Sequence, residues 1–239
     1  MTGANFGDLA VGDAIAEEGI DGDGERDANG AAAGASEKRF GHPPQYTGMA
    51  AHHGGLVSRS PKEKRARVRV EADRFGKRLI VDETFASFYR AETPATGCVW
   101  DALAAPVLAL PPRRRRRILL LGLGGGSVAR ILRALAPEAE LVGVEFDPEV
   151  VKVARAHFGL DELELELHVE DALVRLRREK RRFDLIVEDV FVGRGDAVYK
   201  PDWLPHPGLD LAAGLLAPGG VLVSNALDEA PAVAGALGR

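Results

Sequence analysis

The sequence predicts a doubly wound α/β fold, in which helices cover both faces of a mostly parallel sheet. From Ile118 onward, short apolar strands alternate with amphipathic helical stretches. The strands at Ile118–Leu121 and Leu185–Val187 are apolar at every position, which is typical of parallel strands buried on both faces. The connections are short, as expected for right-handed β-α-β crossovers.

Residues 1–60 differ in composition from the rest of the chain. They are rich in glycine, include the stretch DGDGERDANGAAAGAS, and lack periodic apolar residues, so we predict a disordered tail. This tail carries a charge of −5, equal to the formal net charge of the whole chain. Its acidic start, without a basic segment and an apolar core, argues against a secretory signal or transit peptide. His52 and His53 lack acidic or thiol partners at ligand spacing, so no metal site is predicted.

The composition of the chain excludes several other classes of protein. No run approaches the ~18 apolar residues that a membrane-spanning helix needs. The residues after the tail are neutral overall, which argues against a general attraction to nucleic acid. The single cysteine, Cys98, excludes an internal disulfide and is typical of a reducing compartment. We therefore expect a cytoplasmic protein with neither a membrane nor a nucleic-acid partner.

Residues 61–96 are predicted to form a small β-hairpin unit. Alternating apolar residues on both sides of Arg74–Gly76 indicate two strands and a turn. The apolar spacing of Val99–Leu110 then predicts a helix that ends at the following proline pair. The basic run Arg113–Arg117 has no interleaved aromatic residues and directly precedes a strand. It is interpreted as a solvated loop rather than a nucleic-acid patch.

Residues 97–239 are predicted to form the main domain. Its elements in chain order, after the helix above, are strand ILLLG, helix SVARILRALA, strand LVGVE, helix PEVVKVARAHF, strand LELHVE, helix ALVRLRRE, strand FDLIVED, an irregular segment, helix GLDLAAGLLA and strand GVLVSNAL. Aromatic residues in the irregular segment, such as Tyr199 and Trp203, are placed to cover an acceptor site or to pack as a loop.

The carboxyl ends of these strands share one chemical character. Parallel strands present these ends at one edge of the sheet, where ligands bind in open α/β folds. The residues found there are the glycine loop Gly122–Gly126, then Glu145, Glu170–Asp171 and Glu188–Asp189. A glycine loop lets a ligand approach the backbone closely, and a carboxylate can accept hydrogen bonds from both hydroxyls of a ribose. The pattern favours a nucleoside ligand over a bare turn followed by a solvated acid.

The individual residues leave alternatives open. A nicotinamide cofactor would require G-x-G-x-x-G, but Ser127 occupies the third glycine position. Asp171 can accept a hydrogen bond from the exocyclic amine of adenine, and it also stands where a helix N-cap is expected. Both roles are compatible because the carboxylate has two oxygens. Asp189 is a candidate general base or substrate-orienting group, or else a structural acid.

Together, these motifs resemble a known superfamily. They are G-x-G-x-G at Gly122–Gly126, Glu145 closing the second strand of the sheet, Asp171 closing the third, and L-x-P-G-G at Leu216–Gly220. With them the chain resembles the class I S-adenosylmethionine-dependent methyltransferases, and residues 67–227 resemble the spermidine synthase family. The resemblance implies a Rossmann-like sheet that binds S-adenosylmethionine. It places Gly122, Gly124 and Gly126 near the methionine and ribose portions, Glu145 at the ribose hydroxyls and Asp171 at adenine.

The chain also departs from the spermidine synthase pattern. The family's loop aspartate, which holds the donor's aminopropyl amine, is replaced by Gly125, and Val192 replaces the second acid of the D-[ST]-[ST]-D-P motif. Asp189 matches the first acid of that motif, which helps to deprotonate the attacking amine. Losing two carboxylates weakens the binding of a diamine, because each charge-assisted bond contributes about 1.5–3 kcal/mol.

We therefore expect methyl transfer from S-adenosylmethionine to a small-molecule or protein acceptor. The alternatives are aminopropyl transfer from decarboxylated S-adenosylmethionine to a polyamine and a catalytically inactive or truncated relative. Residues 228–239 are too few for the additional helix and antiparallel strand pair of this fold. This predicts either a fragment or a sheet completed by a partner, such as a second copy of the chain.

Overall fold

The computed structural model describes residues 67–226 and 230–237. These comprise a small antiparallel sheet and a five-stranded parallel sheet flanked by helices, which confirms the predicted α/β class and parallel sheet. The predicted disordered tail, with His52 and His53, lies outside the described residues.

The strands and helices follow the predicted alternation. The strands are β1 (Val68–Asp73), β2 (Gly76–Val81), β3 (Thr84–Tyr89), β4 (Arg117–Leu121), β5 (Glu140–Glu145), β6 (Glu166–Val169), β7 (Phe183–Glu188), β8 (Val192–Arg194), β9 (Ala197–Tyr199) and β10 (Leu216–Ser224). The helices are α1 (Val99–Ala104), α2 (Ser127–Leu135), α3 (Pro148–Phe158), α4 (Ala172–Arg178), α5 (Gly208–Gly214) and α6 (Ala230–Leu237).

The small sheet is the predicted hairpin extended by a third strand. Its order is β1-β2-β3, and both pairings are antiparallel. The hairpin turn lies at Arg74–Phe75, where the Asp73 carboxylate accepts the backbone N–H of Phe75 at 2.8 Å. Gly76 follows with a φ of +146°, and a Cβ there would lie 2.4 Å from the carbonyl oxygen of Tyr89. Glycine is therefore required where the turn enters β2.

The large sheet has the order β10-β7-β4-β5-β6, and all of its pairings are parallel. Successive residues of the central strand β4 point to opposite faces. Ile118 and Leu120 pack in the core that includes residues of α1 and α2, whereas Leu119 and Leu121 pack in the core that includes residues of α4 and α5. All four side chains are buried. This double burial explains why β4 is apolar throughout.

The predicted helix over Val99–Leu110 is wrong in its second half. The α-helix ends at Ala104, and Ala105–Ala109 form a 3-10 turn. Pro106 is the physical reason, because proline has no N–H to continue the helical ladder and its ring clashes with the preceding turn. Trp100 and Leu103 remain buried in the core.

Two further segments differ from the sequence prediction. The segment after β7, predicted as irregular, contains the antiparallel pair β8–β9. Pro218 and Gly219, which separate the predicted helix GLDLAAGLLA from the predicted strand GVLVSNAL, lie inside β10 at a register shift, because Leu216 pairs with Phe183 and pairing resumes between Val221 and Leu185. Gly219, with a φ of +70°, accommodates this irregularity.

The run Arg113–Arg117 lies at the amino end of β4, away from the carboxyl ends of the strands. Arg115 donates to the carbonyl oxygen of Leu110 at 2.9 Å, and Arg117 pairs with Glu140 at 2.7 Å. These arginines therefore serve contacts within the fold. Among the helices described here, none combines the length and the apolar character needed to cross a membrane.

Candidate functional site

The carboxyl ends of the parallel strands border a cleft of about 610 Å³. Five of the six residues that the sequence predicts for the site line it: Gly122, Gly124, Glu145, Asp171 and Asp189. The strand-end pattern therefore brings these residues to one place. Their roles towards a ligand remain predictions.

The loop requires glycine because neighbouring groups lie close to its backbone. Gly122 has a φ of +81°, and a Cβ there would lie 2.5 Å from the carbonyl oxygen of Asp189. Gly126 has a φ of +85° and begins α2 as its N-cap. A Cβ on Gly126 would face Leu160 and Leu163 at 3.1 and 3.2 Å. Gly126 is thus placed against the core rather than on the cleft wall, unlike Gly122 and Gly124.

Glu145 ties the end of β5 to the glycine loop. Its Oε2 accepts the backbone N–H of Gly124 at 2.8 Å and that of Leu123 at 3.3 Å. Its Oε1 accepts the N–H of Asp147 at 3.1 Å. Burial raises the pKa of Glu145 above its ordinary value, and these three N–H groups act in the opposite direction. The carboxylate both orders the loop and presents oxygen atoms to the cleft.

Asp171 and Phe146 form another part of the cleft wall. The Oδ1 atom of Asp171 accepts the N–H of Val174 at 3.1 Å, so the residue is the N-cap of α4. This bond engages one of its two oxygens. Phe146 directly follows Glu145 and is 73% exposed. The sequence interpretation did not assign it a role, although an aromatic residue just beyond a strand-end acid is a signal for contact with a flat ring.

Asp189 is held by two side chains that the sequence analysis did not assign to the site. Its Oδ1 accepts the Asn225 amide at 2.7 Å, and its Oδ2 accepts the Trp100 indole N–H at 3.2 Å. Burial raises the pKa of Asp189 to about 6, while these bonds and the charge of Lys200 oppose the rise. Asp189 is therefore ionised at neutral pH, and its pKa is close to the value that suits a general base. Applying the strand-end rule to β10 would have identified Asn225.

A buried ion pair lies beneath this part of the cleft. Lys200 Nζ contacts Glu188 Oε1 at 2.8 Å and the carbonyl oxygen of Val190 at 2.9 Å. It also lies 3.8 Å from the centroid of the Phe191 ring. Glu188 additionally accepts the N–H of Val190 and the hydroxyl of Ser224. These contacts fix the segment that follows β9 against the end of β7.

Replacing Lys200 with methionine is expected to lower the free energy of unfolding by about 3–5 kcal/mol, because it leaves the Glu188 carboxylate buried without its cation. Urea unfolding followed by circular dichroism measures the change. Adding Glu188→Gln to Lys200→Met removes the stranded charge and is expected to restore part of the stability. Equal losses in the single and double variants would contradict an electrostatic origin.

Parts of the chain are similar to known proteins. A family model described as "Methyltransferase domain" matches residues 118–220. A polyamine aminopropyltransferase of Vibrio vulnificus is 37% identical over 114 residues, which are 46% of this chain and 37% of that protein. An eEF1A lysine and N-terminal methyltransferase homolog of Drosophila melanogaster is 35% identical over 86 residues, which are 33% of this chain and 13% of that protein. The chain thus spans well under half of each of these relatives.

A solved structure supports the same fold. The probable spermidine synthase from Corynebacterium glutamicum superposes with a TM-score of 0.57 at 24% identity, over 66% of this chain and 60% of that chain. The segment matched by the family model begins in β4 and ends in β10, so it contains the glycine loop, Glu145, Asp171 and Asp189. In its fold and its strand-end motifs, the segment of residues 118–220 is thus similar to the class I S-adenosylmethionine-dependent methyltransferases.

Proposed function

We propose that the chain binds S-adenosylmethionine at the glycine loop and transfers its methyl group to an acceptor beside Asp189. Glu145 accepts hydrogen bonds from the ribose hydroxyls, and the second oxygen of Asp171 accepts one from the adenine amine. The exposed ring of Phe146 packs against the flat base. These three residues line the same cleft as the glycine loop.

The contact between Gly125 and Ser87 is the observation that carries the choice of donor. The N–H of Gly125 donates to Ser87 Oγ at 2.6 Å. A Cβ on Gly125 would lie 2.8 Å from Ser87 Cβ and 3.2 Å from a ring carbon of Phe158. The loop therefore has no room for the aspartate with which the spermidine synthase family holds the donor amine. This favours a donor that brings its own carboxylate over the decarboxylated form.

The transfer step is a displacement at the sulfonium methyl group. A lone pair of the acceptor oxygen or nitrogen attacks the methyl carbon, and the carbon–sulfur bond breaks with its electron pair going to sulfur. The products are the methylated acceptor and a neutral thioether, while the acceptor proton passes to Asp189. Alignment of the reacting atoms contributes most of the acceleration. Trp100 and Asn225 fix the orientation of the accepting carboxylate.

Aminopropyl transfer is a second candidate. Asp189 stands where the spermidine synthase family has the acid that helps to deprotonate the attacking amine, and its pKa of about 6 suits that task. Polyamine aminopropyltransferases from several organisms are similar to parts of this chain. This reaction would require the decarboxylated donor and a diamine acceptor.

Calorimetry with the two donors separates the candidates. We expect S-adenosylmethionine to bind about 10–100-fold more tightly than its decarboxylated form, because its carboxylate offsets the charge of its own amine, whereas the amine of the decarboxylated donor has no aspartate at position 125 to pair with. Gly125→Asp is expected to abolish binding of S-adenosylmethionine. Gly214→Asp is the matched control, since a Cβ at Gly214 meets nothing within 4 Å. Tighter binding of the decarboxylated form, together with aminopropylation of putrescine, would contradict methyl transfer and support aminopropyl transfer.

A further inference from the structure

The part of the cleft around Asp189 has an apolar and aromatic wall. The residues that form it include Phe85, Trp100, Val190, Phe191, Val198 and Trp203. The rings of Phe85 and Trp100 meet edge to face, with centroids 5.1 Å apart and planes at 81°. The chain has two tryptophans, and both contribute to this wall. Such a wall favours a ligand with an apolar or aromatic body.

The other carboxylates that border the cleft are engaged in contacts of the fold. Asp147 caps α3 and pairs with Arg67, which also pairs with Asp82. Glu170 pairs with Arg178 at 2.6 Å. Glu145 and Asp171 hold the glycine loop and α4, as described above. Asp189 also accepts hydrogen bonds within the fold, from Trp100 and Asn225, but among the residues that the structure describes it is the carboxylate set within the apolar wall.

This distribution of charge disfavours a cationic acceptor with two ammonium groups. Val192 lines the cleft at the position where the second acid of the family's motif would stand. One ammonium could pair with Asp189, but the second would lie against apolar side chains and lose its hydration. A neutral acceptor has no such cost, and a single hydroxyl or N–H suffices to reach Asp189.

Two turns that border the cleft are joined to each other. The N–H of Gly195 donates to the carbonyl oxygen of Asp82 at 2.8 Å, and Thr84 Oγ1 donates to the carbonyl oxygen of Gly195 at 3.1 Å. This contact links the β2–β3 turn to the β8–β9 turn, and residues beside both turns line the cleft. The link limits the space open to the acceptor and favours a small molecule.

We propose that the acceptor is a small neutral aromatic molecule with one hydroxyl or N–H, bound against the Phe85–Trp100 pair. This inference rests on the proposed function, since it names the acceptor class for the same methyl transfer. The hydroxyl or N–H donates its hydrogen bond to Asp189. In the reaction its proton moves to that carboxylate as the new bond to the methyl carbon forms and the carbon–sulfur bond breaks.

Isothermal titration calorimetry provides the first test. With S-adenosylmethionine present, 2-naphthol and indole are expected to give saturable heats of binding, while putrescine and a lysine-containing peptide give none. Saturable binding of putrescine or the peptide instead, or of no probe, overturns the acceptor proposal. Calorimetry with S-adenosylmethionine alone is run in parallel. If that donor binds and the aromatic probes do not, the acceptor proposal fails while the proposed function stands.

A charge placed in the wall provides the second test. Val192→Asp is expected to weaken 2-naphthol binding by about tenfold or more, because it introduces a charge beside the apolar ligand. Tyr199→Asp is the matched control: Tyr199 pairs with Val192 across β8–β9, yet it is not part of the cleft wall. Equal 2-naphthol affinity in the Val192→Asp variant and the unmodified protein would overturn the proposal.

Discussion

Replacing Glu145 with alanine is expected to weaken binding of S-adenosylmethionine by about 100-fold or more. The variant loses the acceptor for two ribose hydroxyls, and each charge-assisted hydrogen bond contributes about 1.5–3 kcal/mol. It also loses the anchor for the N–H groups of Leu123 and Gly124, so the glycine loop is no longer ordered in advance of binding. Isothermal titration calorimetry measures the affinity.

Glu140→Ala is the matched control for this substitution. Glu140 begins the same strand that Glu145 ends, and its carboxylate pairs with Arg117 and Arg181 far from the cleft. Its removal is expected to leave the affinity for S-adenosylmethionine unchanged. Comparable losses in the two variants would indicate a general weakening of the sheet. Unchanged affinity in the Glu145→Ala variant would contradict the proposal that a nucleoside binds at the carboxyl edge of the sheet.

The strand-end residues could be predicted from the sequence because their placement follows from local pattern and topology. A strand within a regular alternation of strands and helices belongs to a parallel sheet, and the residue that follows it must stand at the carboxyl edge. Glu145, Asp171 and Asp189 are therefore placed without knowledge of side-chain packing. Glycine at position 122 has a similar explanation. The chain leaves the strand there with a positive φ and lies against the backbone of Asp189, so a side chain does not fit.

The partners of these residues could not be predicted because they depend on long-range packing. Trp100 reaches Asp189 across 89 positions of sequence, and Ser87 reaches Gly125 across 38. The periodicity of apolar residues does not indicate which residues so far apart in the sequence come into contact. The role of Lys200 could not be predicted either. A lysine in a polar loop is ordinarily solvated, whereas here its side chain is buried against Glu188. These contacts of the candidate site thus become visible only in the folded chain.

Asp189→Asn is expected to lower the rate of methyl transfer by about 10²–10⁴-fold while leaving the affinity for S-adenosylmethionine unchanged, because the amide cannot take the acceptor proton. In the unmodified protein, the rate is expected to fall as the pH drops below about 6, where Asp189 becomes protonated. Steady-state rates measured from pH 5 to 9 would show this dependence. A pH-independent rate over that range would exclude Asp189 as the base.

The same substitution separates a catalytic role from a structural one. The pKa of Asp189 rises from an ordinary value of about 4 to about 6 on folding, so its contribution to stability is lost as the pH rises between these values. At neutral pH this rise of about two pKa units corresponds to a cost of about 3 kcal/mol, which exceeds the roughly 1 kcal/mol of the hydrogen bond that asparagine forgoes. Asp189→Asn should therefore transfer the methyl group more slowly by the factor given above, yet be at least as stable as the unmodified protein at pH 8. Asp184→Asn, at the other end of β7, retains an oxygen for the N–H groups of Arg116 and Arg117 and should keep full activity. If Asp189→Asn instead lowers the unfolding temperature and Asp184→Asn loses activity equally, Asp189 holds the strand end together rather than accepting a proton.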